Sequence, residues 1–495
     1  MSIQIYNVLK RDKEVFKPIL DGQVSLYVCG PTVYDYSHLG HAKMYISFDV
    51  IVKWLRYSGL KVRYVQNITD VGHLTDDADR GEDKILKRAR RDRVEPMELV
   101  ERYMREYFRD TDALGIARPD ISPRASAHVP EQIEMIKVLI EKGHAYDSNG
   151  SVYFSVESDP DYGKLSGRRV EEMEAGKRVE VRDEKRHPMD FALWINATPE
   201  HILKWPSPWG WGYPGWHIEC SAMSAKYLGE TFDIHGGGID NIFPHNEGEI
   251  AQSESAHGAT FANYWMLGGT LLVDGVKMGK SLGNFVTIKD ALKKYRPEAL
   301  RMFILQGLYR SPADYSDESL QAASKGWERL NAAARRVRNE LKYATAETGA
   351  ANTAELSQNL INELDKTRLQ FASVMNDDFN TPLAIGSLFD LSTEVNRWID
   401  KGIATKEALE HANQIFTELG GDVLGIVASD EAKANGAGSA GNAEREARLI
   451  EWMIQLRLEA RKAKDFARAD EIRKQLSEMG VMLEDGPKGT TYRIS

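Results

Sequence analysis

The amino-acid sequence predicts an α/β protein whose first part forms a parallel sheet and whose later part is helical. Two apolar segments, SLYVC (25–29) and KVRYVQNI (61–68), have the composition of strands. A helical pattern lies between them, and a strand–helix–strand unit of this length is typical of a right-handed parallel sheet. From about residue 317 onward the periodicity is helical, as in KGWERLNAAARRVRNELKYA.

Length and composition set broad limits on the organisation of the chain. Its 495 residues exceed what one hydrophobic core usually serves, so we expect roughly three or four domains. Hydrophobic residues make up 42% and charged residues 28%, which is ordinary for a soluble globular protein. No apolar run approaches a membrane span, and the N-terminal MSIQIYNVLKRDKEVF has no apolar signal core. These features predict a cytoplasmic protein without a membrane partner.

The net charge and the two cysteines argue against a highly basic nucleic-acid-binding protein and against a disulfide-bonded one. A formal net charge of −10 argues against a protein coated with basic residues for nucleic acid. A local basic track stays open, because neutralising phosphates needs only a few Lys and Arg. A disulfide between the two cysteines, Cys29 and Cys220, is not expected in a reducing compartment. Taken alone, they favour two buried small hydrophobic residues.

The elements follow in order along the chain. The first helix follows PTVYDYSHLGH and is expected to end near Ser58, before Gly59. One of its sides is apolar and carries Phe48, Ile51, Val52 and Leu55. Residues 117–210 are less regular and rich in Pro, Gly and charge, so we interpret them as an insertion between two halves of the sheet.

The second half of the sheet and the C-terminal region have their own signals. FDIHGGGID (232–240) predicts a strand, and a helix is expected to begin near His245. TLLVDGVKMGKSLGNF (270–285) predicts a hairpin or strand followed by an exposed loop. ASDEAKANGAGSAGNAE (428–444) has the composition of a flexible linker. The remaining residues are charged and helical and end in a predicted hairpin, VMLEDGPKGTTYRI.

The first motif is HLGH (38–41), at the start of the first helix. Its two histidines lie near one face of the first helical turn. Gly40 lets a flat ligand approach the backbone, and a helix N-terminus favours phosphate. Alone, such a pair is more often a surface or capping feature.

The second motif is KMGKS (277–281), in a glycine-bearing loop. Two lysines three apart on a mobile loop can close over a triphosphate and offset charge that develops on leaving pyrophosphate. Alone, the pentapeptide favours a solvated basic turn.

Together the two motifs resemble the HIGH and KMSKS signatures of class I aminoacyl-tRNA synthetases, in the same order and context. Leu39 is the second letter of the first motif, and Gly279 replaces the serine of the second. The resemblance implies a Rossmann-like parallel-sheet catalytic domain. It also implies that catalysis depends on His38, His41, Lys277 and Lys280.

Four further residues have side chains that suit a metal ion. Cys29 ends the first strand, and Cys220 lies in GWHIECSAM. His245 and Glu249 are four apart in FPHNEGEIAQS and so share one helix face. Two thiolates, an imidazole and a carboxylate suit a tetrahedral zinc site. The alternative interpretation is a core thiol pair and a helix salt bridge.

Longer segments resemble the cysteinyl-tRNA synthetase family and span nearly the whole chain: CGPTVYDYSHLGH, NITDVG, KRHPMDFALW, PGWHIECSAM, FDIHGGGID, KMGKSLGNF, YRSP, DDFNTPLA and LEDGPKGTTYRI. The resemblance implies one Zn2+ per chain on the four residues above, which selects the thiolate of L-cysteine. It implies ATP, with Mg2+, as the activating substrate, tRNA(Cys) as the acceptor, and a monomer. The family often has PHHENE where this chain has PHNEGE, so Asn246 and Gly248 replace neighbours of the ligands.

The resemblance also implies roles for single residues. Thr69, Trp216 and Asp240 are expected to contact the amino acid or the adenosine. The ATP site is expected to use His38, Gly40, His41, Asp240, Lys277 and Lys280. For Trp216 an equal alternative is a core tryptophan beside Trp205, Trp209 and Trp211.

Two basic segments are candidates for tRNA contacts: KILKRARRDR (84–93) and RLEARKAKDFARADEIRK (457–474). Mixed charge of this kind is usually a solvated helix face. In the family the C-terminal region meets the anticodon end. Trp452 and Phe466 offer stacking surfaces for unpaired bases, although core packing is the favoured role for each.

These features divide the chain into a catalytic domain with an insertion, a helical anticodon-binding region and a small C-terminal domain. The expected boundaries are 1–116 for the first catalytic half, 117–210 for the insertion, 211–290 for the second catalytic half, 291–427 for the helical region, 428–444 for the linker and 445–495 for a small tRNA-binding domain.

Two other functions remain open. A related ligase gives activated cysteine to an amino-sugar, as in mycothiol synthesis, but a small acceptor needs no long helical region or tail. A non-catalytic tRNA-binding or structural zinc protein would not need both signature motifs.

The loop VGHLTDDADRGED (71–83) carries His73 and several carboxylates, and a solvated loop is favoured over a second metal site.

Overall fold

The structure is a computed structural model. It describes residues 2–72, 74, 82–168, 184–199, 201–279, 282–345, 353–428, 439–486 and 489–494. The chain divides into two compact units, Met1–Ala428 and Ser429–Ser495. Among the described residues, no helix has both the length and the apolar character needed to cross a membrane.

The elements of the first unit have the following bounds. The strands are β1 Gln4–Asn7, β2 Asp12–Val15, β3 Gln23–Val28, β4 Lys61–Gln66, β5 Ala145–Ser148, β6 Ser151–Phe154, β7 Phe191–Asn196, β8 Trp205–Ser207, β9 Gly210–Pro214, β10 Phe232–Gly238, β11 Ala262–Gly268, β12 Leu271–Val273, β13 Val276–Lys277 and β14 Ala313–Tyr315. The helices are α1 Leu39–Tyr57, α2 Lys84–Asp92, α3 Pro96–Ala113, α4 Val129–Glu141, α5 Trp216–Leu228, α6 Glu247–His257, α7 Ile288–Lys294, α8 Pro297–Leu305, α9 Asp317–Tyr343, α10 Thr353–Met375, α11 Thr381–Asp400 and α12 Lys406–Ile415.

A four-stranded parallel sheet, in the order β11-β10-β3-β4, carries the candidate site. β3 and β4 pair along their full length, from Gln23 opposite Lys61 to Val28 opposite Gln66. β3, α1 and β4 thus form the predicted strand–helix–strand unit, and the parallel α/β fold is confirmed. Ligands of open parallel sheets bind outside the carboxyl ends of the strands, where Cys29 follows β3.

Helix α1 covers the sheet with its apolar side. The four residues predicted for that side are each no more than 1% exposed: Phe48, Ile51, Val52 and Leu55. The helix ends before Ser58, as predicted, and Gly59 follows with a φ of +89° that favours glycine. Burying this apolar side explains why a segment between two strands forms a helix here.

The insertion between β4 and β10 is more regular than its sequence suggested. It contains α4 and a five-stranded antiparallel sheet in the order β5-β6-β7-β9-β8. These strands are only three to six residues long. β6 is buried at every position, so it shows no alternation of polar and apolar residues. The expectation of an irregular segment was wrong for this reason.

The segment after β11 forms the predicted hairpin. β12 and β13 pair antiparallel across Asp274 and Gly275, which both have positive φ. β12 also pairs in parallel with β14. Lys277 ends β13, so the KMGKS motif begins where the hairpin ends, and Lys280 lies outside the described residues.

The later part of the first unit is helical, as predicted. A buried ion pair joins it to α1, because Arg301 on α8 donates to Asp49 Oδ2 at 2.6 Å. Arg301 is 1% exposed and also donates to the carbonyls of Leu424 and Leu114. One side chain therefore connects three segments that are far apart in sequence.

The second unit contains helices α13 Ser439–Lys462 and α14 Phe466–Glu478 and strands β15 Val481–Gly486 and β16 Gly489–Ile494. The strands pair antiparallel, which confirms the predicted terminal hairpin. The segment predicted as a linker overlaps this unit, because α13 already begins at Ser439. Trp452 and Phe466 are 58% and 60% exposed, so the favoured core role was wrong for both.

Candidate active site and metal centre

The four candidate metal ligands meet at the carboxyl edge of the parallel sheet. Cys29 follows β3, Cys220 lies on α5, His245 precedes α6, and Glu249 lies on α6. One donor atom of each lies within 4.8 Å of the others, and all four residues are buried. Cys29, Cys220 and the pair His245 and Glu249 lie far apart in the sequence, and the fold brings them together.

The donor set of this cluster fits zinc. Zinc–sulfur and zinc–nitrogen bonds of about 2.3 and 2.0 Å give tetrahedron edges of about 3.3–3.8 Å, and the donor atoms here all lie within 4.8 Å of one another. Glu249 Oε1 is buried, lies 3.4 Å from His245 Nε2 and makes no hydrogen bond of good geometry within the described residues. A buried carboxylate oxygen without such a bond is unfavourable unless a cation binds it.

Three polar residues contact the ligands, and two of them, His217 and His235, were not among the residues predicted for the site. His217 Nδ1 lies 3.0 Å from His245 Nδ1, and His235 Nε2 lies 3.0 Å from Glu249 Oε2. Asn246 Nδ2 donates to Glu249 Oε2 at 2.9 Å. The signal was present in the sequence, because GWHIEC and FDIHGGG place a histidine inside otherwise buried elements.

Electrostatics within the cluster favour the deprotonated form of Cys29 and Glu249, whereas burial raises the pKa of Cys220 well above its usual range. Burial would lower the pKa of His245, but the charge of Glu249 outweighs it and raises that pKa to about 10. A hydrogen bond with Cys220 lowers the pKa of Cys29 to about 6, against burial, which would raise it. Burial would also raise the pKa of Glu249, but His235 and His245 hold it well below its usual range. Metal ligands bind as thiolate and carboxylate, so the shifts of Cys29 and Glu249 suit a metal centre.

A cavity of about 320 Å³ opens beside the cluster. Three of the candidate ligands line it, namely Cys29, Cys220 and His245, whereas Glu249 does not. Of the described residues expected to contact cysteine or ATP, all but Lys277 also line it: Thr69, Trp216, Asp240, His38, Gly40 and His41. One cavity therefore joins the metal cluster to the HLGH motif.

The HLGH residues lie at the N-terminus of α1, with His38 as the N-cap. His38 Nδ1 accepts a hydrogen bond from the Gly40 backbone at 3.1 Å, and the two histidine rings stack with centroids 3.9 Å apart. A Cβ on Gly40 would come within 2.9 Å of the His38 ring. Glycine therefore leaves room for the His38 ring at this helix terminus, where backbone N–H groups favour a phosphate.

The start of the KMGKS segment lies next to this terminus. Lys277 Nζ lies 2.7 Å from Asp240 Oδ1, and both side chains are more than half exposed. Such an exposed pair contributes about 0–1 kcal/mol, so Lys277 can exchange Asp240 for a phosphate at small cost. Beyond the motif, Phe285 contacts the His38 ring edge-on at 5.2 Å.

Thr69 and Trp216 both line the cavity and contact residues next to or within the metal cluster. Thr69 Oγ1 donates to Glu219 Oε1 at 2.6 Å, and Asn67 Nδ2 donates to Thr69 Oγ1. Burial raises the pKa of Glu219 well above its usual range. Trp216 packs on the His245 ring at 4.4 Å and lines the cavity, so the core interpretation does not describe its position.

The basic segment 84–93 forms α2, and several of its cations are paired. Arg88 binds Asp35 and Asp92, and Arg90 binds Glu82. These pairs fit the solvated-face interpretation of the segment. His73, in the loop considered as a second metal site, lies outside the described residues.

The sequence matches three known families. Residues 15–325 match the family described as tRNA synthetases class I (C) catalytic domain. Residues 370–428 match the DALR domain, and residues 451–493 match the cysteinyl-tRNA ligase anticodon binding domain.

Curated relatives match over the full length. A cysteine–tRNA ligase of Chlorobium chlorochromatii is 50% identical over 497 residues, covering 100% of both chains. One from Thermus thermophilus is 48% identical, again over 100% of both chains. One from Deinococcus radiodurans is 48% identical over 99% of this chain and 97% of its own.

Solved structures share the fold. A methionyl-tRNA synthetase of Mycobacterium tuberculosis, in complex with methionyl-adenylate, aligns with a TM-score of 0.57 at 16% identity. The alignment covers 81% of this chain and 89% of that one. A leucyl enzyme of Agrobacterium radiobacter, in a ternary complex with tRNA, aligns with a TM-score of 0.60 at 11% identity, covering 83% and 85%.

Proposed function

This chain belongs to the cysteine–tRNA ligases, a family of class I aminoacyl-tRNA synthetases, and we propose that a zinc ion in its active site selects cysteine. Its reaction joins L-cysteine and ATP into cysteinyl-adenylate and transfers the cysteine to the 3′ end of tRNA. The signature motifs and the C-terminal family match leave no reason to favour the amino-sugar ligase or the non-catalytic alternative.

The metal proposal rests on one observation: two thiols, an imidazole and a carboxylate are buried with their donor atoms within 4.8 Å. Cys29, Cys220, His245 and Glu249 would hold one zinc ion per chain. When bound, zinc would supply a soft acceptor that takes a substrate thiolate far more readily than a serine hydroxyl. Three of its ligands line the cavity, so the side chain of cysteine would enter beside them.

Serine is the substrate that this site must reject. It differs from cysteine by one atom, and an apolar pocket separates such isosteres poorly. A pocket that contains a metal ion able to bind the thiolate of cysteine would avoid this limit. The proposal therefore expects no second, hydrolytic site for editing.

We assign the ATP end of the cavity to His38, Gly40 and His41. The N-terminus of α1 would bind phosphate through its backbone N–H groups, with Gly40 leaving room for the His38 ring beside them. Lys277 would leave Asp240 and, with Lys280, offset charge on the departing pyrophosphate. Mg2+ would accompany the triphosphate.

We assign the amino-acid end to Thr69, Trp216 and Asp240. Thr69 is held between Asn67 and Glu219, which fixes the direction of its hydroxyl. Trp216 packs against His245 and so closes the cavity beside the ligands. No covalent enzyme intermediate is needed, because positioning and electrostatics account for the chemistry.

We also propose that the boundaries 1–116, 117–210, 211–290, 291–427 and 445–495 separate functional domains. The matched anticodon binding domain, 451–493, supports a tRNA contact by the C-terminal unit. The exposed rings of Trp452 and Phe466 offer stacking surfaces there. We further propose that the enzyme acts as a monomer in the cytoplasm.

The metal proposal is tested by elemental analysis of protein purified without added metal, with one zinc per chain expected. Cys220→Ser should lose most of the zinc and most cysteine-dependent pyrophosphate exchange. Lys277→Ala is the matched control, because this residue lies outside the cluster and should leave zinc content unchanged. Fully active protein without zinc would disprove the proposal.

A further inference from the structure

The buried side chain of Asn246 touches two of the candidate metal ligands at once. Its Nδ2 donates to Glu249 Oε2 at 2.9 Å and lies 3.8 Å from Cys29 Sγ, within hydrogen-bond range for sulfur. Asn246 has an exposed fraction of 0%. One amide therefore bridges a ligand that follows β3 and a ligand on α6.

The orientation of this amide is set by its neighbours. Both contacts are acceptors, so the NH2 group faces them, since the oxygen would meet two anions there. Asn246 Oδ1 is buried and makes no hydrogen bond within the described part of the chain. The two acceptors next to Nδ2 therefore determine the orientation of the Asn246 side chain, since among the described residues no donor to Oδ1 competes with them.

The contact also distinguishes the two oxygens of Glu249. Oε2 is occupied, because it accepts from Asn246 and lies 3.0 Å from His235 Nε2. Oε1 is the oxygen with no hydrogen bond of good geometry among the described residues. The carboxylate is thus held by one oxygen and presents the other to the cluster.

We propose that Asn246 is a positioning residue that orients Glu249 and Cys29 for metal binding, so that Glu249 binds through Oε1 alone. This inference rests on the metal site proposed above. It concerns a position at which this chain departs from the PHHENE that the family often has. Outer partners of this kind fix ligand orientation, and their loss typically lowers metal affinity about 10–100-fold.

The test replaces Asn246 with leucine, which has a similar volume and no donor. Because His235 stays next to Oε2, we expect a loss of zinc affinity near the lower end of that range, about tenfold. Asn246→His, which keeps an N–H donor, should recover part of the loss. Zinc affinity is measured on the full chain by competition with a chromophoric chelator.

A second readout separates positioning from general destabilisation. In cobalt-substituted protein the visible absorption bands respond to the ligand set, and Asn246→Leu should shift them. Asn331→Leu is the matched control, because Asn331 is also a buried asparagine, 2% exposed, with its amide bonded to Trp327 and Ile426 in the helical region. It should leave both readouts unchanged.

The outcomes are distinct. Unchanged zinc affinity and an unchanged cobalt spectrum in Asn246→Leu would overturn the positioning role while the metal site stands. An equal loss in Asn246→Leu and Asn331→Leu would also overturn it, since the effect would then come from folding. Wild-type protein that binds no zinc would overturn the metal proposal itself.

Discussion

Replacing Arg301 with methionine should strongly destabilise the first unit without touching the active site. The guanidinium is 1% exposed and donates to Asp49 Oδ2 at 2.6 Å and to the Leu424 carbonyl at 3.0 Å. Methionine keeps much of the volume but leaves a buried carboxylate and a buried carbonyl with fewer donors. Breaking a buried ion pair in this way typically costs about 3–5 kcal/mol.

The remaining partners of Asp49 decide where in that range the effect falls. Lys53 Nζ lies 2.8 Å from Asp49 Oδ2, and the Ala117 backbone donates to Oδ1 at 2.9 Å. The carboxylate therefore keeps part of its stabilisation, and we expect a loss near about 3 kcal/mol. The first unit spans Met1–Ala428, so an unfolding entropy of about 2.1 cal/mol/K per residue gives about 1 °C of melting temperature for each kcal/mol, and the first transition should fall by about 3 °C.

The assay is a thermal melt followed by circular dichroism, with Arg336→Met as the matched control. Arg336 pairs with Asp400, but the two side chains are 38% and 65% exposed, so its loss should cost about 0–1 kcal/mol. Equal shifts in the two variants would refute the reasoning from burial.

Two further predictions concern the reaction. Lys280→Ala should slow adenylate formation by about 10²–10³ with little change in cysteine affinity, because the side chain of cysteine is bound elsewhere; an equal fall in cysteine binding would contradict this. A chain that ends near Ala428 should keep zinc and pyrophosphate exchange but bind tRNA more weakly, with a shallower salt dependence. A melt of the shortened chain controls for its folding, and undiminished tRNA charging by the folded protein would rule out a tRNA contact by the tail.

The parts of the fold with clear periodicity were predictable from the sequence. The strand–helix–strand unit, with its helix ending near Ser58, was predicted because α1 buries one apolar side and Gly59 follows it. The insertion was not, because its strands are short and β6 is buried on both faces. The predicted linker, 428–444, overlaps α13 from Ser439 onward, because a segment rich in small residues does not show where the helix begins.

The candidate site also contains residues that could be predicted from the sequence and residues that could not. The residue types of Cys29, Cys220, His245 and Glu249 pointed to a metal, and the family resemblance selected them. The residues that contact these ligands, among them His217 and His235, could not be predicted from their spacing in the sequence. They belong to different elements and contact the ligands only in the folded protein. Exposure of Trp452 and Phe466 was also not predictable, since an aromatic residue in a charged helix fits either environment.

The central claim, that the buried cluster selects cysteine through a metal, is tested most directly by pyrophosphate exchange with cysteine and serine. The measured quantity is the ratio of the two kcat/KM values for zinc-loaded protein. A site that binds a specific group of its substrate rejects the analogue by about 10⁴–10⁵, and the account predicts a ratio of this order. A ratio of only about ten, the scale of discrimination by an apolar pocket, would contradict it.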